Sequence, residues 1–334
     1  MNKILVCLFG LITLFFSDQM PGATFLLIPP SARANGMAYA FTAIADDATA
    51  CYYNAAGLAF LESKCIQVSY CGYLTEYMVG NRYFHLAVGY PWASSGLGAE
   101  VIYFYIPPWR GSPFDVPYRA WHVALKVDYS RRFCDRYAAG LGLKIVNQSH
   151  TKEWWLEDPS LPPGIGNGRT GVVLVAALDV NSLYVISDNL RIGAVLHNIG
   201  PNLHYTESDP GDPLPRLIRL GVAYELLNNK YIKCTVSGEM TKVLLGIFDG
   251  GEDTFWENVK SEFRDTWKAI GLEVAVYKLI SLRGGYFYDR EGYRKGFTFG
   301  GGLHAEPFSF DVGIDENIFD FPTQNRTVSV SYRF

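Results

Sequence analysis

The sequence predicts an all-β chain, a transmembrane antiparallel β-barrel of about fourteen strands with an N-terminal plug segment. Three observations carry this expectation. Apolar and polar residues alternate with period two in segments of about ten residues. The connections between those segments are short and long by turns, and the last segment stops on an aromatic residue, Phe334.

Residues 1–23 read as a secretory signal peptide: Lys3 precedes an apolar run from Ile4 to Phe16 that is too short to cross a bilayer as a helix. Pro21-Gly22-Ala23 makes a poor small-x-small cleavage pattern. Cys7 lies inside the apolar run with no small residue before it, which argues against a lipoprotein. No later run reaches eighteen apolar residues, so a helical membrane anchor is not expected.

Residues 24–64 do not alternate in the strand manner. Small residues dominate Ser31-Ala32-Arg33-Ala34-Asn35-Gly36-Met37 and the stretch to Leu58, with Arg33 isolated among them, and this composition suggests a compact plug.

Residues 65–334 form the expected barrel. The clearest strand sets Trp121, Val123, Leu125, Val127 and Tyr129 against His122, Ala124, Lys126, Asp128 and Ser130. The first face suits lipid and the second a polar lumen. Phe84 to Tyr90, Leu97 to Tyr105, Ile218 to Leu226, Ile280 to Tyr288 and Phe308 to Ile314 repeat the pattern, and less regular strands fall between them. A soluble β-sandwich also alternates, so the connections matter more. Those at Arg131–Arg136, Tyr184–Asn189, Leu227–Lys230, Lys278–Leu279 and Ala305–Pro307 are short. Between them lie the longer Ile106–Arg119, Thr151–Arg169, Ile199–Pro215, Val243–Thr266, Asp289–Gly296 and Asp315–Arg326. Short periplasmic turns and long outer loops follow this rhythm in membrane barrels. In the last strand Val328, Val330, Tyr332 and Phe334 share one face, and Tyr332 and Phe334 are the candidate assembly signal.

Composition agrees, with 49% hydrophobic, 15% aromatic and 19% charged residues. Aromatic residues suit interfacial girdles. A net charge of −4 without a long Lys/Arg run gives no footprint for nucleic acid. After the signal an odd number of cysteines remains (Cys51, Cys65, Cys71, Cys134, Cys234), and most are expected to be buried small hydrophobes. The six histidines lack ligand spacing, so no metal and no cofactor are expected. No Gly-x-Ser-x-Gly elbow, P-loop or dinucleotide fingerprint occurs, and the chain is not expected to be an enzyme. Lumen residues such as Glu100, Lys126, Asp128, Lys144, Arg219, Glu225, Glu273, Arg283 and Asp311 either line a path or pair with one another. Pairing is the stronger reading, because a closed lumen penalises unpaired charge.

Three outer loops are rich in aromatics: Trp109 among prolines, Trp154 and Trp155 before Pro159, and Trp256 at a capped helix start. They are candidate partner-binding loops, and a lid folded over the barrel mouth is the equal alternative.

Arg33, Gly36, Met37, Asp47, Asn54, Ala56, Gly57 and Leu58 together resemble the N-terminal motif of the PorV/PorQ family, relatives of the FadL-type fatty-acid channels. Ala38 stands where that family usually has a second Gly, and Ala55 replaces its Pro. Weaker echoes follow at Asn198-Ile199-Gly200-Pro201 and Arg283-Gly284-Gly285-Tyr286. The resemblance implies a plugged fourteen-stranded barrel in the bacterial outer membrane, embedded in outer-membrane lipid, inserted by the barrel assembly machinery and carrying secreted cargo proteins of type IX secretion. A FadL-like channel for hydrophobic small molecules is the alternative.

Overall fold

In the computed structural model, residues 21–74, 80–109, 118–150, 172–205, 211–244, 263–290, 294–315 and 325–334 are described. Fourteen antiparallel strands close into one barrel. They are β1 (Cys65–Gly72), β2 (Arg82–Trp92), β3 (Ser95–Trp109), β4 (Tyr118–Cys134), β5 (Tyr137–His150), β6 (Val172–Ser187) and β7 (Leu190–Ile199). The second half comprises β8 (Leu217–Asn228), β9 (Ile232–Val243), β10 (Trp267–Val276), β11 (Ile280–Asp289), β12 (Arg294–Ala305), β13 (Phe308–Asp315) and β14 (Asn325–Arg333). Each strand pairs with its neighbours in sequence, and β14 returns to β1.

The side-chain arrangement is the reverse of a soluble fold. On β4, Trp121, Leu125, Val127 and Tyr129 are exposed on the outside, whereas His122, Ala124, Lys126 and Asp128 are buried inside. The same holds on β2, where Phe84, Leu86, Val88 and Tyr90 face out and His85 and Ala87 face in. A sandwich would bury its apolar faces against each other. A continuous apolar outer wall instead requires lipid. Exposed aromatics form two bands on that wall. Tyr90, Trp92, Tyr129, Phe133, Tyr184, Tyr224, Tyr231, Tyr277 and Phe308 lie beside the short turns, and Tyr70, Phe84, Trp121, Tyr286 and Phe297 lie toward the long connections. Such bands mark the two membrane interfaces.

Closure is polar inside and apolar outside. Val68 faces Val330 and Ser69 faces Ser329 across the β1–β14 seam, where the two serine hydroxyls are 2.8 Å apart. The Phe334 N–H donates to the Lys64 carbonyl at 2.9 Å. Its ring sits edge-on to Tyr332 at 4.7 Å, and Tyr332 in turn meets Phe308 at 4.9 Å. The wall is uneven at β7, which reaches only Ile199, opposite Leu178 of β6. Beyond it the chain turns inward and buries Leu203 and Leu214 in the lumen. Trp154, Trp155 and Trp256 lie outside the described residues, as does the side chain of Trp109, whose backbone ends β3 opposite Tyr118. The five cysteines are free thiols, with Cys51, Cys65 and Cys71 buried.

Deleting Phe334 removes the last seam hydrogen bond and the end of the aromatic ladder while leaving the lumen residues in place. Loss of heat-modifiable, membrane-inserted protein on semi-native gels is the expected outcome. Normal insertion would show that the terminal aromatic is dispensable.

Candidate functional site: the plugged lumen

Residues 24–61 lie inside the barrel, running from the long-connection side to the short-turn side, and the exposed Glu62 and Lys64 lead on into β1. Pro29 and Pro30 stiffen the approach to Ser31, whose hydroxyl accepts from the Ala34 N–H and caps the helical turn Ala32–Asn35. A second turn, Ala50–Tyr53, is followed by Asn54, whose side chain accepts from the Ala56 N–H and starts the 3-10 segment Ala55–Phe60. The same side chain donates to the Thr42 carbonyl at 2.9 Å and to the Ser182 carbonyl of β6 at 3.0 Å. With Asn54 as cap, the segment forms although Ala55 replaces proline.

Close packing against the wall depends on inward glycines. A Cβ at Gly313 would lie 2.4 Å from the Ala32 carbonyl oxygen, and one at Gly193 2.5 Å from that of Thr42. Within the plug, a Cβ at Gly57 would fall 2.0 Å from the Ala45 carbonyl oxygen. Gly36 packs on Gly300, Met37 is fully buried between Gly271 and Gly285, Leu58 packs on Gly96 and Gly98, and Ala56 packs on Ala138 and Leu183. Ala38 takes a φ of 52°. Glycine adopts that left-handed conformation without a Cβ penalty, which accounts for the glycine expected there.

Arg33 is the electrostatic centre of the plug. It grips Glu273 of β10 through two hydrogen bonds, Nε to Oε2 at 2.9 Å and Nη2 to Oε1 at 2.8 Å. Its Nη1 also meets Asp46 at 2.5 Å and Asp47 at 3.1 Å, and the guanidinium lies over the Phe41 ring at 5.0 Å. Burial alone would raise the Asp46 carboxyl, but the adjoining Arg33 charge holds it below its ordinary value. Asp47 also accepts from the Thr49 N–H at 2.8 Å, fixing the turn that follows.

Around this centre the wall presents a belt of paired charges. His85 meets Glu100 at 3.0 Å; Lys126 meets Asp128 at 3.0 Å and Asp179 at 2.9 Å; Asp179 also holds Lys144 and His197. Arg283 joins Glu273 at 2.6 Å to Asp311 at 2.7 Å. Glu225 pairs with Lys233 near the rim. Wall side chains also bond the plug backbone directly. Glu239 accepts from the Phe41 and Thr42 N–H groups at 3.1 and 2.9 Å, Asn181 from Ala55 at 3.0 Å, Thr298 from Ala38 at 2.9 Å and Ser329 from Ala32 at 3.0 Å, and Lys126 donates to the Cys51 carbonyl. The alternation placed Glu100, Lys126, Asp128, Lys144, Glu225, Glu273, Arg283 and Asp311 inside, but nothing in the sequence matched a wall residue to its plug partner.

Two compartments flank the plug. On the short-turn side a cavity of about 960 Å³ is floored by Arg33 and Asp46 and lined by Phe60, Glu273, His304 and Arg333 among others. The opposite half is an apolar chamber in which Phe25, Leu26 and Ile28 pack against Tyr52, Tyr83, Phe104, Val146, Val173, Leu203 and Leu214. Burying each of those three plug side chains stabilises the filled state by about 1.5–3 kcal/mol. This chamber was not anticipated from the sequence, because its residues come from scattered strands and from the inward segment after β7.

An inverted barrel with a fixed internal plug defines the class: an outer-membrane-type β-barrel of the carrier and channel kind. Residues 19–248 match the family described as "Type IX secretion system protein PorV", and the chain belongs to that family. No curated protein matches by sequence. Among solved structures, the toluene transporter TodX of Pseudomonas putida is similar at 13% identity, with 91% of this chain and 97% of that chain covered and a TM-score of 0.59. The toluene transporter TbuX of Ralstonia pickettii is similar at 12% identity (92% and 98% covered, TM-score 0.58). A FadL homologue of Pseudomonas aeruginosa is similar at 14% identity (92% and 98% covered, TM-score 0.55). At these identities the likeness shows a shared fold.

Arg33→Ala leaves Asp46 and Asp47 without their cation and Glu273 with Arg283 alone, and is expected to weaken plug docking by about 3–5 kcal/mol. The temperature at which the folded band converts on semi-native gels measures this. Arg33→Met combined with Asp46→Asn and Asp47→Asn should lose less, since no plug carboxylate is then stranded without its cation. Ala38→Gly should act in the opposite direction, raising that temperature by relieving up to about 1 kcal/mol of left-handed strain.

Proposed function

We propose that this protein is a non-enzymatic carrier in the bacterial outer membrane that binds secreted protein cargo. The observation that carries the reading is the lumen itself. Its plug is tied by charge-assisted and backbone hydrogen bonds to strands around most of the barrel, an arrangement suited to holding a partner rather than to passing solutes. Membership of a family described as a type IX secretion protein supports the same reading. Cargo would be engaged from the long-connection side, where the loops carrying Trp109, Trp154, Trp155 and Trp256 are the candidate contacts. Insertion by the barrel assembly machinery, with Tyr332 and Phe334 as its signal, belongs to this proposal.

A second reading, a channel for hydrophobic small molecules, is favoured by one observation, the apolar chamber around Phe25, Leu26 and Ile28. Two measurements separate them. Affinity capture from native membranes should recover secreted proteins or secretion components, and liposomes containing the purified barrel should not take up labelled fatty acid faster than empty ones. Uptake dependent on the protein, with no secreted protein recovered, would replace the carrier by the channel.

A further inference from the structure

The segment Thr24–Ile28 sits in the outer chamber as a peptide sits in a receptor. Phe25 stacks on His122 at 5.3 Å, and His122 stacks on Phe104 at 6.1 Å. The Tyr52 hydroxyl donates to the Leu26 carbonyl at 2.9 Å, and the Tyr83 hydroxyl donates to the Ile28 carbonyl at 2.9 Å. The chamber thus reads both the side chains and the backbone of its occupant, which is how extended peptides are recognised.

This segment is held differently from the rest of the plug. Residues 22–30 carry no charge, whereas the plug beyond Ser31 is fixed by Arg33 and by carboxylates of the wall. Pro29 and Pro30, neither with an N–H to donate, separate the two parts. The outer segment is therefore fastened independently of the charged part.

We propose that the outer chamber is a receptor for an extended apolar peptide, and that Thr24–Ile28 is its resident occupant, which an apolar segment of a cargo protein displaces. The identity of the displacing peptide rests on the carrier reading; the receptor does not. A peptide is the favoured class because a hydrocarbon would leave the fully buried Tyr83 hydroxyl without a partner, and buried polar groups built for a hydrogen bond discriminate against ligands that lack it.

The test uses a barrel lacking residues 24–28 and a fluorescent synthetic peptide with the sequence of residues 24–29. The shortened barrel should bind the peptide, and the intact barrel should bind it at least about tenfold more weakly because its own segment competes. A peptide carrying Phe25→Ser, or a shortened barrel carrying Tyr83→Phe, should each lose roughly fivefold to tenfold in affinity. If the shortened barrel does not fold, the full chain with Phe25→Ser and Leu26→Ser keeps the question open to test, since its weakened occupant should admit the peptide more readily than the unaltered chain does. A folded shortened barrel that binds the apolar dye 1-N-phenylnaphthylamine but not the peptide would overturn the proposal in favour of a hydrocarbon site, and binding of neither would overturn it outright. Cargo captured equally by the intact Tyr83→Phe barrel, with peptide binding lost, would remove the exchange and leave the carrier standing.

Discussion

Charge pairing inside the lumen is the constraint on which the rest of the molecule depends. A barrel in lipid must turn apolar side chains outward, and the period of two then sends every alternate residue inward. Charged residues enclosed there carry a large desolvation cost unless each is paired and hydrogen-bonded. Asp179 meets this requirement with two lysines, from β4 and β5, and a hydrogen-bonded histidine of β7, and Arg283 with acids on β10 and β13. Glu273 needs a second cation, and Arg33 of the plug supplies it. The plug is thus part of the electrostatic solution of the wall.

That dependence explains why the plug can be built from so little secondary structure. Its helical turns are four residues long, or six in the 3-10 segment, far too short to be stable alone. Their backbone groups are satisfied instead by wall side chains such as Glu239, Asn181 and Thr298, and glycines in the wall let the two backbones approach. Small residues recur along the plug for the same reason. Above this charged layer the chemistry changes to aromatic and aliphatic contacts with a few neutral hydrogen bonds, so the lumen is divided into a charged layer and an apolar one.

Much of this was legible in the sequence because the barrel signal is repetitive. Trp121 to Ser130 alternates without error, and each expected short turn overlaps an actual one, although β4 runs on to Cys134 and β6 to Ser187 before turning. Arg33 was also visible, as the one charge in a stretch of small residues. What was not legible depends on register around the barrel. Only closure brings Glu273 from the far side of the chain to Arg33, and only the early end of β7 lets Leu203 and Leu214 turn inward to build the apolar chamber. Tyr52 and Tyr83 read as ordinary aromatic positions until their hydroxyls are seen to meet the carbonyls of Leu26 and Ile28.

The most direct measurement of the central claim, that the charge-paired plug closes this barrel, is ion conductance of the purified full-length protein in planar bilayers. A plug held by Arg33, Glu239 and the wall hydrogen bonds predicts no steady conductance above that of the bare membrane, and a discrete conductance once residues 21–60 are removed from a barrel that still folds. A stable ohmic conductance from the unaltered protein would contradict the account.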